Sequence, residues 1–232
     1  MTKFLKKANI LFERLIIFFL AVVFLISAWC VYDCWYVFEH TSDKNLLRYK
    51  PSMQAAAVQG EDVITDDMVA WLTVDGTDID YPVMQGTDNT IYLNTDPFGK
   101  YSLGGSIFLD SRNSSDFSDE YSLIYGHHME FGRMFGSLDD FLDREYLEQH
   151  SKGTLEVGRN AEKIYKLKFF AAFRASARDK AVFDFGGNLA EFIEKKTHVS
   201  VDGNRKILAL STCTEGDSVS RIVVFGYMEK GD

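Results

Sequence analysis

Residues 206–230 read KILALSTCTEGDSVSRIVVFGYMEK. Two apolar runs, KILALSTC and RIVVFGYME, flank a short polar loop. Runs rich in β-branched and aromatic side chains, separated by Gly, Asp and Ser, predict two strands joined by a hairpin loop. A thiol, Cys213, sits at the end of the first run, and a cation, Arg221, opens the second. One reading is a buried structural cysteine beside a surface arginine. The other is a nucleophile beside an anion stabiliser.

The same rhythm extends upstream. AWLTVDGTDIDYPVMQ predicts two short strands around the turn DGTD, and SIFLD, YSLIYGH, GTLEVG and KIYKLKFFAAFRA predict four more. Two segments change period. MFGSLDDFLDREYLEQH puts Met134, Leu138, Phe141, Leu142 and Tyr146 on one helical stripe, and GNLAEFIEKKTH does the same with Leu189, Phe192 and Ile193. TDDMVAWLTV predicts an N-capped helical turn at Thr65 or Asp66 before the chain becomes extended. About eight strands, few helices and no strand–helix alternation predict a mainly β protein, a closed barrel with helical additions.

Ahead of the barrel the composition changes. Residues 15–32, LIIFFLAVVFLISAWCVY, carry no charge. That length approaches the ~20 residues needed to cross a bilayer core of about 30 Å. CWYVF beyond Asp33 supplies aromatic residues where an interfacial belt would lie. Lys3, Lys6, Lys7 and Arg14 against Glu13 give a net +3 before the run, which keeps the N-terminus cytoplasmic. The run is long for a signal peptide and ends in bulky residues, so a retained signal-anchor is expected. The expected organisation is a cytoplasmic segment (1–14), a transmembrane signal-anchor (15–36), a helical connector (37–64) interrupted near Pro51, and a catalytic barrel (65–232). The whole chain carries −9, so the part outside the membrane is strongly acidic and a poor nucleic-acid binder.

Cys30 and Cys34 belong to the membrane run and its edge, so Cys213 is the one thiol of the exported domain. A lone cysteine without clustered His or Asp is not a zinc site, and no metal or cofactor is expected. A thiol needs a base or a cation beside it to become a nucleophile. His40 stands next to the membrane, while His150 and His198 end helical segments, where a cation meets the C-terminal dipole. That leaves His127 and His128 at the end of SLIYGHH, after Gly126. On continuing strand geometry the two rings point to opposite faces, so only one can serve a given cleft. The histidine precedes the cysteine by 86 positions, the reverse of the papain order.

These residues resemble the sortase family. LSTC followed by RIVV is similar to the sortase TLxTC strand that ends at the nucleophile, with a required arginine opening the next strand. YGHHM resembles the strand whose Gly-His supplies the catalytic histidine. DDMVAWLTVDGTDIDYPVMQGTDNTIYLNTDPFG looks like the entry to the sortase barrel, and GRMFGSLDDFLDREYLEQH is similar to the segment after the histidine in class B members. The resemblance covers roughly residues 60–230. It departs at Ala209, which stands where the motif has its first Thr, and in a Cys-to-Arg spacing of eight.

The resemblance implies an eight-stranded sortase-like β-barrel, with added N-terminal helices and a helix between strands 6 and 7; segments 41–70 and NLAEFIEKKTH suit these additions. It implies a membrane-anchored cysteine transpeptidase of Gram-positive bacteria. Such an enzyme cuts an LPxTG-like C-terminal sorting signal of secreted proteins after Thr. It then joins the acyl group to a peptidoglycan or lipid II amine. Cys213 would be the nucleophile, His127 the general acid/base with His128 as runner-up, and Arg221 the stabiliser of substrate carbonyl and oxyanion. Ser211 and Thr212 beside the thiol, and Asn89, Tyr92 and Leu93 in DNTIYLN, are expected substrate-binding positions; a capped turn with a core leucine would explain the latter three equally well. Two alternatives stand beside this. One is a pilin-polymerising sortase, disfavoured by the absence of a lid motif and of a second apolar run near GYMEKGD. The other is a non-enzymatic anchored barrel. Glu215 and Asp217 in the loop would disfavour thiolate and could pair with Arg221.

Overall fold

The computed structural model describes residues 2–41, 44–53, 63–214 and 217–231. The chain divides into two units, residues 1–40 and 41–232. The first is helix α1, Thr2–Thr41, a stretch with neither Gly nor Pro. Within it Phe4–Tyr36 is long and apolar enough to cross a membrane. Its 33 residues rise about 50 Å at 1.5 Å each.

The second unit is a closed barrel of eight strands: β1 (Met68–Val74), β2 (Asp80–Met84), β3 (Ile107–Leu109), β4 (Tyr121–Tyr125), β5 (Lys152–Val157), β6 (Lys163–Ser176), β7 (Ile207–Thr214) and β8 (Asp217–Lys230). Their order around the barrel is β1-β2-β3-β4-β7-β8-β6-β5. The β2–β3 and β4–β7 pairs are parallel; the others are antiparallel. Each strand falls where an apolar run predicts one.

Alternation sorts the side chains into an inside and an outside. Leu208 and Leu210 of β7 join an interior cluster to which all eight strands contribute, including Leu72, Val83, Ile124, Leu155, Leu167 and Val224. Ile207 and Ala209 face outward and are covered by helices between β6 and β7. After α2 (Arg144–Gln149), those helices are α3 (Lys180–Phe183) and α4 (Leu189–Thr197). Val182, Phe183 and Ile193 supply the cover. A third cluster, with Trp71, Met84, Tyr92 and Phe108, is capped by Leu46 and Tyr49 from the N-terminal segment. Lys50 pins that segment by donating to Asp80 (2.9 Å) and Thr73 (2.7 Å), and Ser52 donates to both oxygens of buried Glu156.

The helical expectations need correction in two places, both beyond residue 64. The 37–64 connector holds helical segments on both sides of Lys50. It contains the end of α1 and two 3₁₀ turns, Lys44–Tyr49 and Pro51–Met53, while residues 54–62 lie outside the described residues. The helical turn expected at Thr65–Asp66 is a plain turn leading into β1. Tertiary bonds claim its backbone and its acid: Thr65 N donates to Pro97 O, and Asp67 accepts the Tyr92 hydroxyl. The 134–150 stripe is built as a 3₁₀ segment, Gly136–Leu142, followed by α2. The break is at Asp143, whose carboxylate caps Tyr146 N. The stripe still points inward through Met134, Leu138 and Phe141.

Candidate active site

The parallel pairing of β4 with β7 decides which residues meet. Tyr125 pairs with Ser211, and Gly126 N extends the ladder by donating to Ser211 O at 3.1 Å. His127 therefore follows Tyr125 by two positions, as Cys213 follows Ser211. On the other side of β7, Cys213 pairs directly with Arg221 of β8. The register slips just beyond, between Cys213 and Thr214. Three residues that are 86 and eight positions apart thus share one end of three neighbouring strands. The Cys213 side chain, the acid of Asp217 and all of Glu215 lie outside the described residues.

β4 itself stops at Tyr125, so both histidines stand just past the strand rather than in it. The two rings nevertheless reach different partners. His127 donates from Nε2 to the Leu93 carbonyl at 2.7 Å. A carbonyl only accepts, so Nε2 carries the proton, and Nδ1 is the basic nitrogen of the neutral ring. His128 donates from Nε2 to Asp139 Oδ2 at 3.0 Å.

The backbone around His127 is tightly held. Its carbonyl accepts from Phe135 N at 3.0 Å. Gly126 lies so close to Phe135 that a Cβ would stand 2.7 Å from the ring. The loop after it holds Phe131, Gly132 and Met134 at positive φ, two of them residues that rarely adopt it. Gly105, at φ +55°, packs its backbone against the Leu93 carbonyl, where a Cβ would come within 2.5 Å.

Arg221 is half-buried. Burial lowers its pKa from the ordinary arginine value, and the nearby Tyr125 hydroxyl opposes that shift. Its guanidinium makes no hydrogen bond or ion pair among the described residues. A half-buried guanidinium is suited to an incoming carbonyl or a developing oxyanion.

The five expected substrate positions divide. Ser211 shares the outward parity of Tyr125 and is 1% exposed, and its Oγ has no hydrogen-bond partner among the described residues. Thr212 has the inward parity and pairs with interior Ile222. Leu93 is exposed and holds His127 by its carbonyl. Tyr92 is buried in the core cluster, so the turn has a core tyrosine where a core leucine is expected from the sequence. Its own turn is capped by Asp88, which accepts from Thr90 N and Ile91 N. Asn89 is committed at both ends of its amide, donating to Asp110 (3.0 Å) and accepting from Ser111 N (2.7 Å).

Sequence reasoning missed Asp110, Arg112 and Tyr125, which lie directly behind these residues. Tyr125 donates its hydroxyl to Asp110 at 3.1 Å, and its ring packs on Phe108. Burial and then the Asp110 charge push the tyrosine pKa well above its usual value. The one sequence signal is an acid closing the apolar strand SIFLD.

Residues 72–229 match the family model described as Sortase domain. The chain belongs to the sortase family. Among curated relatives, sortase B of Listeria monocytogenes is 32% identical over 227 residues, covering 88% of this chain and 91% of the relative. A Streptococcus pyogenes class B sortase involved in pilus biogenesis is 37% identical, with a TM-score of 0.64 over 72% of this chain and 94% of that one. A Staphylococcus aureus sortase B in complex with substrate is 29% identical, with a TM-score of 0.64 over 73% and 82%. This sortase is thus class B-like, and its closed eight-stranded barrel is the fold of those structures.

Proposed function

We propose that this sortase is a membrane-anchored cysteine transpeptidase. It would cleave an LPxTG-like C-terminal sorting signal after Thr and attach the secreted protein to a peptidoglycan or lipid II amine. Residues 15–36 would anchor it in the cell membrane with residues 1–14 cytoplasmic. Residues 37–64 would connect the anchor to an extracellular catalytic domain, 65–232. The observation that carries the reading is the strand register, which draws Cys213, Arg221 and the His127 segment to one end of β4, β7 and β8.

The Cys213 thiolate attacks the Thr carbonyl, and the oxyanion is held by the Arg221 guanidinium. Collapse breaks the peptide C–N bond, and protonated His127 gives its proton to the leaving amine. The acyl group remains as a thioester. Neutral His127 then takes a proton from the incoming amine as it attacks. A new amide forms and Cys213 leaves as thiolate. Nδ1 is the nitrogen available for both transfers, since Nε2 is bound to Leu93.

A cleavage screen over pentapeptides varied at each motif position, with and without candidate wall amines, tests this. Cys213→Ala, His127→Ala and Arg221→Ala should each abolish cleavage with the thermal melt unchanged. Full activity in a folded Cys213→Ala protein would sink the proposal. The pilus-linked S. pyogenes relative favours a second reading, in which the acceptor amine is a pilin lysine. A lysine-bearing pilin fragment accepting the acyl group better than wall amines would select it.

A further inference from the structure

Behind the site lies a carboxylate that the transpeptidase chemistry leaves without a role. Asp110 comes directly after β3 and is 0% exposed. Its oxygens accept from Arg112 N (3.0 Å), Arg112 Nε (2.9 Å), Arg112 Nη2 (2.8 Å), Asn89 Nδ2 (3.0 Å) and the Tyr125 hydroxyl (3.1 Å). The donors come from three different walls. Asn89 belongs to the loop that, four residues later, presents the Leu93 carbonyl to His127. Tyr125 ends β4 two residues before His127, and pairs with Ser211 two residues before Cys213. Arg112 also donates from Nη2 to Phe183 O in α3 at 2.6 Å, and its guanidinium covers the Phe185 ring. One buried charge therefore ties together the loop under the histidine, the strand leading to it, and the helical excursion between β6 and β7.

Burying an ion pair is a poor route to stability, because desolvation consumes most of the attraction. Apolar side chains would close this part of the barrel as well. An apolar side chain cannot, however, orient a hydroxyl, an amide and a guanidinium at once. We propose that Asp110 is a positioning residue for acyl transfer. It fixes the Leu93 carbonyl, through Asn89, and the Tyr125 hydroxyl, so that the His127 ring keeps one orientation through both half-reactions. This rests on the sortase chemistry proposed above.

The test compares full-length wild type, Asp110→Asn, Tyr125→Phe and the double variant for peptide-cleavage kcat and KM, with melts and active-site titration. Asp110→Asn should lower kcat per active enzyme by about 10- to 100-fold, the range for outer-shell partners, with KM changed less than about threefold. The double variant should lose no more than Asp110→Asn alone, since both act through one link. Unchanged kcat per active enzyme, or additive losses, would overturn the proposal. If Asp110→Asn does not fold, Asn89→Ala and Tyr125→Phe carry the test, and wild-type kcat in both overturns it. A second readout needs no turnover. The imidazole ¹⁵N spectrum of His127 should show the Nε2–H tautomer in wild type and mixed tautomers in Asp110→Asn, or in Asn89→Ala should Asp110→Asn not fold. An identical spectrum contradicts the proposal. A wild-type protein that cleaves no sorting peptide would sink the sortase reading alone, with the spectrum still deciding the role of Asp110.

Discussion

Gly126, just past β4, donates its N–H to the carbonyl of Ser211 on β7, and each residue makes a single-atom prediction. A methyl on Gly126 would meet the Phe135 ring at 2.7 Å, with the ring packed in the interior cluster and unable to withdraw. Gly126→Ala should destabilise the barrel by about 1–3 kcal/mol, the usual cost of overpacking, and should lower turnover because His127 is the next residue. Urea melts and peptide cleavage measure the two effects. Ser211 Oγ is buried without a partner among the described residues, so Ser211→Ala should leave the melt unchanged or slightly higher. If that hydroxyl waits for a substrate amide, the same variant raises KM for the sorting peptide. An unchanged KM would return Ser211 to ordinary strand packing. Neither residue's environment was legible in the sequence: GH marks a histidine with a close approach, but not that Phe135 does the approaching.

The elements were legible to different degrees, for physical reasons. The eight strands follow directly from apolar runs and their separators. Helix α4 follows from its period and from Asn188, which caps Glu191 N at 3.2 Å. Asn188→Ala should cost about 1 kcal/mol and loosen the cover over Ile207 and Ala209, read as faster hydrogen exchange in α4. The 136–149 stripe was legible as a buried face but not as two pieces, because the cap at Asp143 competes locally with helix continuation. The parallel β4–β7 pairing, which brings the site together, joins segments more than 80 residues apart. No local pattern encodes it, and here only the family resemblance anticipated the meeting of Cys213 with the histidine segment.

For the molecule as a whole, the buried Asp110 network makes acid sensitivity predictable in sign. Burial alone would raise the Asp110 pKa, but hydrogen bonds and charge from Arg112 outweigh it, and the folded value lies below the ordinary one. A depressed folded pKa gives stability that is present above the unfolded value of about 3.9 and is lost as pH falls through the folded value. The melting temperature of wild type should therefore fall more steeply below about pH 4 than that of Asp110→Asn. Parallel slopes would remove Asp110 as a source of acid unfolding.

The central claim is that Cys213 carries the acyl group of a sorting signal. Intact-protein mass spectrometry after mixing the full chain with a sorting-signal peptide, quenched in acid, measures it most directly. The expected result is a mass gain equal to the peptide's N-terminal fragment ending at Thr, mapped to Cys213. The adduct should disappear on addition of an acceptor amine and be absent in Cys213→Ala. Cleavage that proceeds with no adduct on wild type and continues in Cys213→Ala would contradict it.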